Sequence, residues 1–440
     1  MDVHGLAKTL TSDESRERRG WMFGCGAWQS KCMPSPGGRS PGWRVVPSHR
    51  PPRGLPHGQP WAELDEVGCG CVEGRPRPSA RSGCARSTGW HSTDERAGGA
   101  EDILGRLPAG PDTGVVHHVY LDQNKWIDLA KARSGRKEGA HLVEVLQAAQ
   151  EAVRAGDASF PLSAQHYYET LHRGGRESRE HLAGTMLGLS QGDAIAPAKV
   201  VVPYEIEIAL IEQLQLPNDR PPAVQIFGKG ANHVFNTEMF TYEAPDEYEG
   251  CPLPAELQAM ATVVGSTRME FAILAGSPSS ETTRLALSEH MRLTGSEFAC
   301  GQQDLRDRIA EMRSGRRDDA MTATAIADIL DLLLAACTRL GVDPGRLLAG
   351  GSEVLGPLVY AIPSRWVERE MRRLRHANRQ KQWEGNDLND VMALSVAVPY
   401  CDVVVTEGQW VHFVRAAKLD RRCKTKMISD LRRLPELLGR

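Results

Sequence analysis

Near each end of its patterned region the chain carries a short β-rich run that stops on an acid, Val119-Tyr-Leu-Asp122 and Val403-Val-Val-Thr406-Glu407. Short apolar runs bounded by polar residues read as strands buried inside a sheet, and such strands belong to parallel sheets covered by helices. The sequence after the first run agrees. Residues 123–130 open a helix, and 141–155 form another with Leu142, Val145, Leu146 and Ala149 on one face. Phe160-Pro-Leu-Ser163 is expected as a second strand, followed by a helix carrying Tyr167, Tyr168, Glu169 and Leu171. Strand, helix, strand, helix at this spacing predicts an α/β fold with a parallel sheet flanked by helices.

Between about 176 and 370 the pattern becomes mostly helical, with segments at 205–215, 255–274, 279–293, 304–312 and 320–340. In the last, Ile326, Ile329, Leu330, Leu333 and Leu334 fall at spacings of three and four, one packed side. Residues 217–250 are loop-rich without a period. Order of the first kind then returns: a basic helix over 369–381, Asn386-Asp-Leu-Asn-Asp390 capping an apolar helix over 391–398, the second acid-ended strand, and a final helix over 424–438. This divides the chain into an extension (1–112), the first part of an α/β domain (113–175), a large helical insertion (176–360) and the second part of the domain (361–440).

The extension is a different kind of polymer. Of its 112 residues, 18 are Gly and 12 are Pro, and no helical or strand period is sustained. It reads as a disordered arm, or as sequence translated upstream of the natural start. Five tryptophans (Trp21, Trp28, Trp43, Trp61, Trp90) are unusual for a disordered arm. The whole chain has 53 basic and 56 acidic side chains, so no overall positive field announces a nucleic-acid partner. Ten scattered cysteines form no paired CxxC spacings, and no run of apolar residues is long enough for a membrane span. A cytoplasmic protein with reduced thiols and no membrane partner is expected. GxGxxG, GxxxxGK[ST] and GxSxG motifs are absent, which removes the usual support for nucleotide-binding and serine-hydrolase readings.

The chemistry lies with the acids. Asp122 and Glu407 leave their strands at the carboxyl ends, where open parallel sheets form their ligand crevice. Asp387 and Asp390 share a face at a helix start, and Glu169 sits in the helix after the second strand. Carboxylates gathered in one crevice repel by several kcal/mol, on the order of what a cation between them would offset. Magnesium or manganese suits oxygen ligands and promotes phosphate-ester hydrolysis.

Taken in order, Val119-Tyr-Leu-Asp122, Glu169, Asp390 before an apolar helix and Val403-Val-Val-Thr406-Glu407 resemble the pattern of PIN-domain nucleases, over about 120 residues in two blocks. The resemblance implies a compact PIN-like sandwich and Asp122, Glu169, Asp390 and Glu407 as catalytic, metal-holding acids, with Thr406 a polar neighbour and Asp387 an auxiliary ligand or a cap. It further implies an endoribonuclease acting on single-stranded RNA, a Mg2+ or Mn2+ cofactor and an inhibitory partner protein. The chain departs from the family in its last acid, a Glu directly after Thr406, and in the long separation of the two blocks. The alternative is a non-catalytic nucleic-acid-binding or protein-interaction module on the same scaffold.

Other residues stay open between two roles. Gln123 and Asn124 either orient water or substrate or fill a turn. Basic residues over 372–381 either follow a phosphate backbone or form a solvated helix face. Tyr167, Tyr168 and Trp410 either stack on bases or pack in the core. His117 and His118 read as strand residues, and Asp402 as structural.

Overall fold

The computed structural model describes residues 116–440 apart from 218–219, 249–250 and 277–280, so the extension expected over 1–112 lies outside the described residues. Strand β1 (His117–Leu121) leads through α1 (Gln123–Arg133), a 3-10 turn and α2 (Val143–Ala155) to β2 (Ala158–Ser159), α3 (Ala164–His172) and α4 (Arg176–Ser190). Next come β3 (Asp193–Ile195), α5 (Ala198–Gln213), β4 (Phe227–Lys229), α6 (Gly230–Phe235) and the hairpin of β5 (Glu247–Tyr248) and β6 (Cys251–Pro252). A helical run follows: α7 (Ala255–Ala275), α8 (Glu281–Glu311), α9 (Ser314–Asp328), α10 (Leu330–Leu340), α11 (Pro344–Ala349), α12 (Gly351–Ala361), α13 (Pro363–Ala377) and α14 (Asp387–Tyr400). The chain closes with β7 (Val403–Val405), α15 (Gly408–Ala416), α16 (Leu419–Arg422), β8 (Lys426–Ile428) and α17 (Leu434–Leu437).

The principal sheet has the order β2-β1-β7-β8, and every pairing in it is parallel. Register sets Val119 beside Val403 and Leu121 beside Val405, so the residues after each strand, Asp122 and Thr406-Glu407, emerge side by side. From β1 the chain crosses to β2 on one side, and from β7 it crosses to β8 on the other. Connections diverging from two neighbouring parallel strands leave a crevice at their carboxyl ends.

Alternation along the strands divides the core in two. Val119, Leu121, Val403, Val405 and Ile428 face Trp126, Phe160, Leu182 and Met186, while Tyr120, Val404 and Met427 face Met371, Leu394 and Trp410. Each large side chain fully withdrawn from water contributes about 1.5–3 kcal/mol. The first core also takes Leu182 and Met186 from α4 and Ile273 and Leu274 from α7, so the region expected as an insertion supplies part of the sheet's cover. A third core of α5, α9, α10, α11 and α12 is entirely helical.

Several local expectations are corrected. The second strand is Ala158–Ser159, because Pro161 has no N–H and Leu162 makes only an isolated parallel bridge to Ala194. The two helices expected over 279–293 and 304–312 are joined, among the described residues, in the single helix α8 (Glu281–Glu311), whose Gly295 and Gly301 do not break it. The helix expected over 320–340 is two helices meeting at Ile329 with a 69° bend, which lets both flanks enter the third core. The final helix expected over 424–438 is mostly not helical: Met427 and Ile428 pair with β7 and only Leu434–Leu437 closes as a short helix. The loop-rich 217–250 stretch contains β4 and α6, and β4 pairs antiparallel with β3. Among the described residues no single helix is long and apolar enough to cross a membrane.

The basic helix α13 departs from both expected courses at its buried arginines, while Arg373 and Arg379 remain at least partly exposed. Arg365, Arg369, Arg372 and Arg375 are buried, and each meets carboxylates: Asp328 and Glu368, Asp318 and Glu370, Asp328 and Glu368 again, and Asp387. A charge inside a protein is tolerated only when paired and hydrogen-bonded, and these arginines meet that condition by joining α13 to α9 and α14.

Candidate acidic site

Three of the expected acids stand at helix starts. Asp122 precedes α1 and Glu407 precedes α15, yet neither makes a side-chain capping bond, and Asp390 lies in the first turn of α14. The positive ends of three helices therefore face carboxylates that serve no cap. Asn386, expected as the cap of α14, makes no such bond either.

Glu169 reaches the same place because α3 is pinned to the end of β1. Buried His166 accepts from the Ser163 backbone N–H at Nδ1 (2.9 Å), which puts its hydrogen on Nε2, and Nε2 donates to the Leu121 carbonyl (2.8 Å). Burial pushes this imidazole down to about 4, so it stays neutral and structural. Glu169 is one turn further along the helix.

Asp122, Glu169, Asp390 and Glu407 all line one cleft of about 970 Å³. Six carboxylates line it in all, against Arg173 and Arg292. Each of the four is held by a neighbour. Thr406 donates from Oγ1 to Asp122 Oδ2 (2.8 Å), Trp410 from Nε1 to Asp390 Oδ2 (2.9 Å) and Asn124 from Nδ2 to Glu407 Oε1 (2.8 Å), while Asn389 bonds Glu169.

Burial is the largest influence on three of these carboxyls, and it raises them. Asp122 is raised from the ordinary range, with Glu407 adding to the effect and Thr406 opposing it. Glu169 is pushed well above that range by burial and then by Asp122 and Asp390. Asp390 is pushed well above it by burial and then by Asp122, against the Trp410 bond. The carboxylates thus sense one another across the cleft, and a cation between them would relieve the repulsion.

The fit to a cation has support and a limit. Gln123 is buried in the cleft wall, donates to Thr170 Oγ1 (3.2 Å), and leaves its Oε1 without a hydrogen-bond partner. That acceptor is closed off from the cleft, and the fit rests on the all-oxygen donor set of the acids, which suits a hard divalent ion. Among the described residues, however, no three His, Cys, Asp or Glu side chains are already grouped to hold one. The four acids share a cleft rather than a closed cage, so a cation would have to draw them inward.

Asp387 is removed from the candidate metal set. Its Oδ2 accepts from buried Arg375 (2.8 Å) and from the Glu384 backbone N–H (2.9 Å), so it anchors the loop before α14. Tyr167 and Trp410 are core residues at 1% and 0% exposure, and half-buried Tyr168 packs on Phe235, so none is free to stack on a base. His118 stacks on Phe227, and Asp402 accepts from the His118 backbone N–H (2.8 Å), a link between β7 and β1 at the far end of the sheet.

The sequence reading missed one wall of the cleft. Ser288, Glu289, Arg292, Gly295, Ser296 and Gln303 of α8 line the cleft as well. A Cβ on Gly295 would stand 2.9 Å from the Gly385 carbonyl oxygen, so the helix and the loop before α14 touch backbone to backbone. Two glycines at that crossing were the only signal, and neither carries a motif. Comparison with known protein families, curated proteins and solved structures finds no match for this chain.

Proposed function

We propose that this chain is a PIN-like, divalent-cation-dependent endoribonuclease that hydrolyses phosphodiester bonds of single-stranded RNA. One observation carries the reading: Asp122, Glu169, Asp390 and Glu407 come from four separate segments, line one cleft at the carboxyl ends of parallel strands, and three of them are raised by burial and mutual repulsion. Asp122 and Asp390 would hold the main ion, with Glu169 and Glu407 completing the ring directly or through water. When bound, magnesium or manganese supplies positive charge that polarises a phosphoryl oxygen and acidifies water.

The chain's own residues do the rest. Thr406 and Trp410 fix the carboxylates of Asp122 and Asp390. Asn124 turns Glu407 toward the cleft. Arg292 is ion-paired with Glu289, and Arg173, hydrogen-bonded to the Ser178 hydroxyl, offers its charge to phosphates flanking the reacting one. An RNA substrate, a cytoplasmic location and an inhibitory partner protein belong to the same reading.

The test uses the full chain stripped of metal by chelator, then supplied with manganese and a labelled single-stranded oligoribonucleotide. Asp122→Asn that remains folded should lose cleavage by about 100-fold or more, the scale expected when a metal site is lost. Unchanged manganese-dependent cleavage by that variant overturns the assignment. A wild-type chain that binds RNA but neither manganese nor magnesium supports the non-catalytic module instead.

A further inference from the structure

Six carboxylates in the acidic cleft repel a polyanion, so an RNA strand has to be held by cations beside them. Of the two arginines on the cleft wall, Arg292 is taken by Glu289, and Arg173 has no ion pair among the described residues. Arg173 and Ile127 also line a second, shallower groove, so cleft and groove are continuous along that edge. The groove lies between the end of α1, the turn that follows it and the first turns of α4. Its polar lining is Lys131, Ser134, Arg136, Arg173, Ser178 and His181, with no acid among them. At about 40 Å³ it has room for a phosphate group and not for a nucleotide, whose sites run to roughly 300 Å³ or more.

The charge in this groove is not compensated. Arg136 is exposed, and its guanidinium has no hydrogen bond or ion pair among the described residues. Arg173 donates from Nε and Nη2 to the Ser178 hydroxyl (3.2 and 3.0 Å), which holds the guanidinium in place and leaves its charge whole. Lys131 pairs with Asp128 (2.8 Å), but both reach solvent, and such a pair is worth about 0–1 kcal/mol, so it yields to a phosphate. The backbone under these cations is fixed. Gly135 takes a φ of 67°, after which the Arg136 N–H returns to the Lys131 carbonyl (3.1 Å) and the Gly139 N–H to the Arg136 carbonyl (3.0 Å). Gly139 lies against the backbone of Lys131 and Ala132 with no room for a Cβ. Like charges held together without an acid between them are relieved by an anion.

We propose that this groove is the backbone-binding part of the acidic site: a single-stranded RNA lying in the cleft leaves it past Arg173 and sets a phosphate remote from the reacting one against Lys131 and Arg136. This contact rests on the RNA-binding part of the nuclease reading and gives the strand a direction out of the cleft. Because it is made to phosphate, it carries no sequence preference.

The test is fluorescence anisotropy of a labelled oligouridylate of about twelve nucleotides on the full chain in chelator, where metal-dependent cleavage is off and binding reports the protein's own cations. Lys131→Gln/Arg136→Gln should bind about tenfold more weakly near 0.1 M salt, and the slope of log affinity against log salt should fall by about 1.4, at about 0.7 per phosphate contact on a single strand. Arg136→Gln alone should lower the slope by about 0.7. Both side chains reach solvent, so folding should survive, and thermal melting checks it. Arg421→Gln/Lys426→Gln is the charge-matched control, because both residues are exposed and Lys426 opens β8 at the end of the sheet away from the acids. It should keep the wild-type slope and an affinity within about twofold of wild type. No binding by wild type up to about 0.1 mM at low salt, an unchanged slope in the groove pair, or an equal loss in the control pair overturns the groove. Manganese-dependent cleavage by a chain whose groove pair binds like wild type overturns the groove and leaves the nuclease reading. The expected loss of binding in a chain that never cleaves overturns the nuclease and leaves the groove.

Discussion

Replacing Asp390 by Asn should make the cation-free protein more stable at neutral pH. The carboxyl is pushed well above its ordinary range by burial, then by Asp122 and Glu407, against the pull of Trp410. At an effective dielectric near 20, like charges sharing a cleft repel by on the order of 4 kcal/mol at 4 Å and less as they separate. Asp390 has two such neighbours, but it is part-exposed to the cleft, so water and salt screen the effect and about 1–2 kcal/mol remains. Asn keeps the Trp410 bond, since its Oδ1 accepts equally well. At about 2–4 °C per kcal/mol for a domain of this scale, the melting temperature should rise by roughly 2–8 °C. The sign follows from linkage: a carboxyl whose folded-state pKa is raised leaves the wild type least penalised below the ordinary Asp range, near 4, and progressively destabilised as pH rises through the folded value. The gain should therefore be near zero at about pH 3.5 and grow as pH rises from there toward the folded-state value. Urea unfolding in chelator, repeated across pH, reads this difference. Saturating manganese should reverse the order, because wild type gains about 2.7 kcal/mol at a hundredfold excess over Kd while the variant gains less. A variant no more stable than wild type at neutral pH, or a gain that does not change with pH, refutes the account of crowded carboxylates.

Thr406→Val removes the bond to Asp122 Oδ2 without changing the side chain's shape, so the Asp122 carboxyl rises further; the acid limb of manganese binding followed by calorimetry should move to higher pH. Arg375→Ala breaks a buried pair with Asp387 and two bonds to the carbonyls of Lys381 and Gln382, and should cost about 3–5 kcal/mol in urea unfolding. Gly295→Val presses a side chain onto the Gly385 backbone and should cost about 1–3 kcal/mol by the same measurement, with the α8 wall shifted off the cleft.

Two kinds of information were legible in the residues alone. Val119-Tyr-Leu and Val403-Val-Val state their own conformation, because a short apolar run with β-branched residues has few alternatives, and both are strands of the parallel sheet. The acids that end them, and those in the first turn of α14, were visible as carboxylates at element ends, and Glu169 as one within a helix. What local pattern cannot state is a partner. Lys426–Ile428 has the length and composition of several structures and becomes a strand only because β7 offers an unpaired edge.

The arginines of α13 show the same limit more sharply. In sequence Arg369, Arg372 and Arg375 look like a solvated or phosphate-facing surface; in the fold they are interior because Asp318, Asp328 and Asp387 arrive from other helices to pair them. Burial of a charge depends on neighbours distant in sequence, and only tertiary packing supplies those. The sequence by itself determined the two central strands β1 and β7, the alternation that builds two cores on the sheet, and which residues carry negative charge. Tertiary structure decided that four of those charges share one cleft, that Asp387 is spent on Arg375, and that α8 forms one wall of the cleft. The division is physical: backbone preference and hydrophobic period act over a few residues, whereas electrostatic repulsion and hydrogen-bond satisfaction act through space.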